Sequence, residues 1–142
     1  MIRCVVLTSF VLILAGCSVP TKRWPNETKD FVWTAMVAAA NAPDYFSDDP
    51  RKRWIVIEND VDANPQFGRI VIRRKLSRSL KLPRQREQID HREWLFVIRL
   101  KSQEVPTVTF DDPETQLVPA RILDEATRYF SQVDTLLQKS IE

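Results

Sequence analysis

A chain of 142 residues with 44% hydrophobic and 28% charged content matches ordinary soluble proteins, which excludes disorder throughout and leaves length for one well-buried domain rather than two. Both cysteines, Cys4 and Cys17, fall within the first seventeen residues, so the rest of the chain has neither an internal disulfide nor a thiolate metal site. The net charge is only +2, and two glycines against nine prolines imply stiff connections and no glycine-rich phosphate loop.

Met1-Ile2-Arg3 makes a short basic start, and an apolar run from Val5 to Leu14 follows, broken by Thr8 and Ser9. A stretch of about ten residues is too short for a hydrocarbon core that needs ~20 in a helix. It reads instead as the core of an export signal over residues 1–16. The run closes on Leu14-Ala15-Gly16-Cys17, whose small residues let a protease admit extended backbone. This string resembles the lipobox of bacterial lipoproteins at all four positions, and the resemblance covers this segment alone. It implies cleavage before Cys17, a diacylglycerol on its sulfur and an acyl chain such as palmitate on the new amine. Two or more chains make such anchoring stable. By the same resemblance Ser18, standing where an aspartate would retain the protein, favours an outer membrane with the body facing the periplasm. Cys4 lies in the removed peptide and has no expected role.

Residues 17–25 read as a short lipidated tether with two prolines and Lys22-Arg23, reaching roughly 25 Å at most. Residues 26–142 read as a single domain. Its first helix spans 26–41: Asn26 or Thr28 can cap it, Glu27 and Asp30 suit its positive end, and Phe31, Ala35, Ala38 and Ala39 recur at helical spacing beside Val32 and Met36. Pro43 stops it, and 44–50 is a loop. A strand follows at 53–59, with Trp54 and Val56 on one face and Ile55 and Ile57 on the other. Turn formers fill 60–66, a longer strand covers 67–78, and 79–92 is a polar connection holding Pro83. The clearest strand is 93–101, with Trp94, Phe96, Ile98 and Leu100 on one face. A short strand at 107–110 and a long helix at 119–141 complete the chain. In that helix Ile122, Ala126, Phe130, Val133 and Leu137 draw one apolar stripe. No helix interrupts the middle strands, so the expected architecture is α+β: a four-stranded antiparallel meander with both helices packed on one face.

Charge is unevenly placed. Residues 69–101 hold eleven Lys or Arg against three acids, and residues 102–142 hold eight acids against three bases. Within the basic stretch Arg73, Arg74, Lys75, Arg78, Lys81, Arg84 and Arg86 are candidates for contact with an anionic envelope surface or an acidic protein partner. The same charges also suit a solvated outer sheet face that discourages edge pairing. Nucleic acid is excluded as a partner by the expected compartment.

Catalytic sets are sparse. His91 is the single histidine and sits between Asp90 and Arg92, with no nucleophile elbow to serve. Asp60-x-Asp62-x-Asn64 has the opening of a calcium loop but Pro65 and Val71 where its glycine and glutamate belong. No cofactor and no metal site is expected. Trp24 suits either a membrane interface or packing on the domain edge, whereas Trp33, Trp54 and Trp94 are expected in the core. The reading is a lipid-anchored, non-enzymatic binding or scaffolding factor. The alternatives are an envelope hydrolase using carboxylates such as Asp111, Asp112 and Glu114, and a domain holding a small apolar ligand between sheet and helices.

Overall fold

The computed structural model describes residues 18–101, 104–113 and 120–139. The expected signal segment, Cys17, Glu114 and both ends of the expected last helix, Pro119 and Ile141, lie outside the described residues.

Seven elements follow one another: β1 (Thr21–Arg23), α1 (Lys29–Asn41), β2 (Ile55–Asn64), β3 (Arg69–Leu80), β4 (Gln88–Lys101), β5 (Thr107–Asp111) and α2 (Ala120–Lys139). The strands form one antiparallel sheet in the order β1-β5-β4-β3-β2. The class is therefore α+β, with the expected meander from β2 to β5. The fifth strand, β1, comes from the expected tether and pairs Thr21 with Thr109 and Arg23 with Thr107. Three-residue strands are hard to read from pattern, because period two barely repeats in them.

Both helices bury onto one sheet face. Ile70, Ile72, Phe96, Ile98, Val108 and Phe110 from the sheet are closed over by Val32, Met36 and Ala39 of α1. All five stripe residues of α2 are buried there as well. Aromatic rings knit the layers: Phe96 meets Phe110 at 5.0 Å, and Phe110 meets Tyr129 of α2 at 5.7 Å. In α1 the stripe sits slightly differently from expectation, with Ala38 exposed and Ala40 buried. Thr28 is the cap, its Oγ1 accepting from the Phe31 amide. A gap beside the layers, lined by Ala39, Ile72, Phe96, Phe110 and Tyr129 together with Arg74 and Glu125, measures about 10 Å³, room for roughly one water.

Two boundaries differ from expectation for a physical reason. β2 runs through residues 60–64 rather than turning there. It is an edge strand, with Val61 and Ala63 packed inward and Asp60 and Asp62 on the solvated face, so a true polar–apolar alternation resembles a turn in composition. The turn itself is shorter, closed by Gly68, whose φ is +56°. A Cβ there would lie 2.5 Å from the Leu100 carbonyl oxygen. Half of the expected connection at 79–92 is strand, residues 79–80 in β3 and 88–92 in β4. β3 and β4 pair as far as Leu80 opposite Gln88, well past Val97, the last β4 residue paired with β5. This projecting ribbon is exposed through much of its length, so no apolar alternation is required of it.

Candidate functional site

The strand register divides the basic stretch into parts with different fates. On the open sheet face Arg73 stands opposite Asp60 with its guanidinium 3.6 Å from the carboxylate, and Lys75 lies 2.7 Å from Glu58. The Glu58 carboxylate holds the Lys75 ammonium above its ordinary pKa. These two candidates are largely neutralised. Arg78 pairs with Asp90 on the helix-facing side of the ribbon. Lys81, Arg84 and Arg86 stay exposed in the β3–β4 turn. There Arg84 takes φ 63° after Pro83, a conformation that favours glycine.

Arg74 corrects the expectation outright. It is not a surface contact: only 5% of it is exposed. Its position opposite Asn59 points it into the core at the C-terminal end of α1. Asn59 Nδ2 donates to the Ala40 and Asn41 carbonyls at 3.0 and 3.3 Å, but no basic residue stands in the last turn of that helix, so its negative dipole end lacks a cation of its own. Arg74 supplies one from β3. Its Nη2 donates to the Ala40 carbonyl at 3.0 Å, Nε to Asn59 Oδ1 at 2.8 Å and Nη1 to the Tyr45 hydroxyl at 3.1 Å. Tyr45 in turn donates to Glu125 Oε2 at 2.9 Å, and Glu125 pairs with Arg128, whose guanidinium lies 3.7 Å from the Tyr45 ring centre. A buried cation, a half-buried one and a buried carboxylate thus meet around one phenol.

Burial raises the Tyr45 pKa, and the Glu125 charge adds to it against the opposing pull of Arg74 and Arg128. Tyr129, whose hydroxyl donates to the Met36 carbonyl at 2.9 Å, is also raised by burial. In the unfolded chain both phenols ionise near pH 10.0, whereas the fold keeps them neutral. Above that pH the native state binds more protons, so stability falls with rising pH, by about 1.4 kcal/mol per pH unit for Tyr129 and in the same direction for Tyr45. Urea midpoints should fall between pH ~10 and ~11, and Tyr129→Phe should make that fall shallower.

Above this network lies a cleft of about 430 Å³ between the projecting ribbon, the loop entering β2 and the first turns of α2. Trp54 forms one wall. It is half-buried rather than in the core as expected, and its indole lies 4.6 Å from the Arg78 guanidinium and 4.3 Å from that of Arg92. Such cation–π contacts offset the repulsion of holding two guanidiniums together. Arg51 and Lys52 contribute from the loop, with Phe46 at the rim, while Tyr45, Glu125 and Arg128 form the floor. Sequence reading had not singled out Arg51 and Lys52; the available signal was the Arg51-Lys52-Arg53 run directly ahead of Trp54.

The other expected groups are dispersed. Trp94 is buried, as expected, and its Nε1 is without a hydrogen-bond partner among the described residues. Trp33 is only half-buried at the core margin. His91 is exposed on β4 opposite Ser77. Asn64 Oδ1 accepts from the Gln66 and Phe67 amides in the β2–β3 turn. No group of three His, Cys, Asp or Glu side chains among the described residues is placed to hold a metal ion. Asp111 ends β5 and Asp112 follows it, both half-buried. No protein-family model, no curated protein and no solved structure matches this chain.

Proposed function

We propose that the chain is a lipid-anchored cell-envelope protein that acts as a binding or scaffolding accessory rather than a catalyst, presenting a basic cleft close to a bilayer. The observation that carries this reading is the convergence of three cations on one cleft. On the open sheet face Arg73 and Lys75 are answered by β2 acids, while Arg69, Arg99 and Lys101 stay exposed there. Arg51, Lys52 and Arg92 converge on a cleft without a carboxylate partner among the described residues. A concavity that draws three unanswered cations together raises the local positive potential beyond what scattered surface charge does.

The start of the fold supports nearness to the membrane. The Pro20 carbonyl already accepts from the Phe110 amide, so the free tether is shorter than residues 17–25. Ser18 to Pro20 span about 10 Å at most. Screening confines electrostatic attraction to about 8–10 Å, and a body held so closely stays within that range. No helix among the described residues is long and apolar enough to cross a membrane, and attachment in this reading is through Cys17. Ser18 directs it to the outer membrane, and the compartment excludes nucleic acid.

Cys17→Ser tests the anchor. The wild-type protein should incorporate labelled palmitate and sediment with membranes, and the variant should do neither. Wild-type protein with an uncut leader and no acyl mass would end the reading. Recovery of the protein alone after gentle cross-linking in membranes would remove the scaffolding role.

A further inference from the structure

We infer that the cleft beside Trp54 is a binding site for a phosphate group, with Arg92, Arg51 and Lys52 as its ligands. The inference deepens the binding role proposed above and rests on it. The cleft lining holds five cations and two carboxylates. Two of those cations are already engaged: Arg78 with Asp90, and Arg128 with Glu125. Arg92 projects from β4 against the indole, and Arg51 and Lys52 reach in from the opposite loop, each without a carboxylate partner among the described residues. Asp124, near the start of α2, is the acid in the lining outside an ion pair, and it leaves the balance positive.

The geometry favours phosphate over a carboxylate. A planar carboxylate satisfies one guanidinium fork, whereas a tetrahedral phosphate presents oxygens in several directions and accepts from donors on different walls. Arginine forks match phosphate oxygens, and lysine adds a point charge. Trp54 fixes the Arg92 guanidinium, so little side-chain freedom is lost on binding. The volume, about 430 Å³, falls in the usual range for small-ligand sites. Trp54 and the exposed ring of Phe46 (73% accessible) offer apolar surface to whatever carries the phosphate. Two sources share this chemistry: a soluble phosphorylated molecule, and a phospholipid headgroup of the membrane beside the tether.

The test uses the full-length lipidated protein in neutral detergent, titrated calorimetrically with inorganic pyrophosphate. A second arm measures tryptophan emission in phosphatidylcholine vesicles with and without phosphatidylglycerol. Arg92→Gln and, separately, Lys52→Gln should weaken binding about tenfold or more. Arg99→Gln removes a cation from the opposite sheet face and should leave it unchanged. All three positions are exposed, so melting midpoints should match wild type. Saturable pyrophosphate binding with this variant pattern supports a soluble ligand. A response confined to phosphatidylglycerol vesicles, with the same pattern, supports a headgroup. Absence of both responses overturns the site, as does equal loss in Arg99→Gln, which would mark a diffuse field. The palmitate assay on Cys17 reads the anchor independently, so failure of the phosphate site and failure of the lipoprotein reading are separable.

Discussion

Arg74→Ala is expected to cost about 3 kcal/mol of folding stability, lowering the melting midpoint by on the order of 10 °C. The neighbouring Arg73→Ala should change stability by less than about 0.5 kcal/mol. Two adjacent arginines differ this much because strand alternation sends one side chain into the core and the other into solvent. Arg73 is paired with Asp60, but both side chains are more than 60% exposed, and an ion pair in water contributes little. Arg74 is the buried cation at this site among the described residues, and it shares the Ala40 carbonyl with Asn59. Its loss leaves Asn59 Oδ1 without its donor, withdraws a cation from the end of α1, and opens a hole where the stem had packed. The Tyr45–Glu125–Arg128 chain would persist without its inner anchor, so the defect should centre on the junction of α1 with β2 and β3. Hydrogen exchange should show it as faster opening at the C-terminal end of α1, with little change in β5. Arg74→Met restores the stem volume but not the donors and should recover only part of the loss. Equal midpoints for Arg73→Ala and Arg74→Ala would contradict this account of the buried cap.

Arg74 also marks where reading from sequence stops. Where one face of an element is buried and the other is wet, pattern reveals it: the α2 stripe and the Trp94-to-Leu100 alternation of β4 are both found as the spacing predicts. Pattern fails where both faces are solvated. The outer halves of β3 and β4 carry Arg78, Asp90 and Arg92 on the helix-facing side, because no helix covers them. Composition there looks like a loop although the backbone remains paired. A basic run raises a different difficulty. Arg73, Arg74 and Lys75 read alike, and only the register with Asp60, Asn59 and Glu58 shows which is neutralised and which is buried. The cleft joins residues far apart in the chain, from Arg51 to Arg128, so its composition was legible only in fragments. Trp54 illustrates the same limit: alternation put it on one face with Val56, and it stands just ahead of β2, but its guanidinium partners came from β3 and β4.

Trp24→Ala is expected to destabilise the domain by about 3–5 kcal/mol, although a residue seven positions after the expected acylation site might be taken for part of a loose tether. The indole is 6% exposed and meets Phe130 of α2 edge-on at 6.0 Å. Its Nε1 donates to Asp134 Oδ1 at 2.6 Å, and Asp134 also takes the Lys22 ammonium at 3.1 Å. The Trp24 amide donates to the Pro106 carbonyl. β1 has only three paired residues, too few to hold an edge strand in place unaided; the indole, clamped between the sheet edge and α2, is what keeps it seated. Truncating it should let β1 peel away even while the rest of the sheet remains paired. Trypsin reads this directly, because Lys22 and Arg23 lie in β1 and are protected only while it stays seated. On intact membranes, mild trypsin should release the domain from its anchor much faster for Trp24→Ala than for wild type. Trp24→Phe, which keeps a ring but loses the bond to Asp134, should fall between. An indole inserted at the membrane interface would give a different result: truncation would change its lipid-dependent emission and leave both the unfolding midpoint and the trypsin release rate where they were. The packed indole therefore completes the core beside Phe130 and, with the lipid anchor proposed at Cys17, would shorten the link to the bilayer to the few residues before β1.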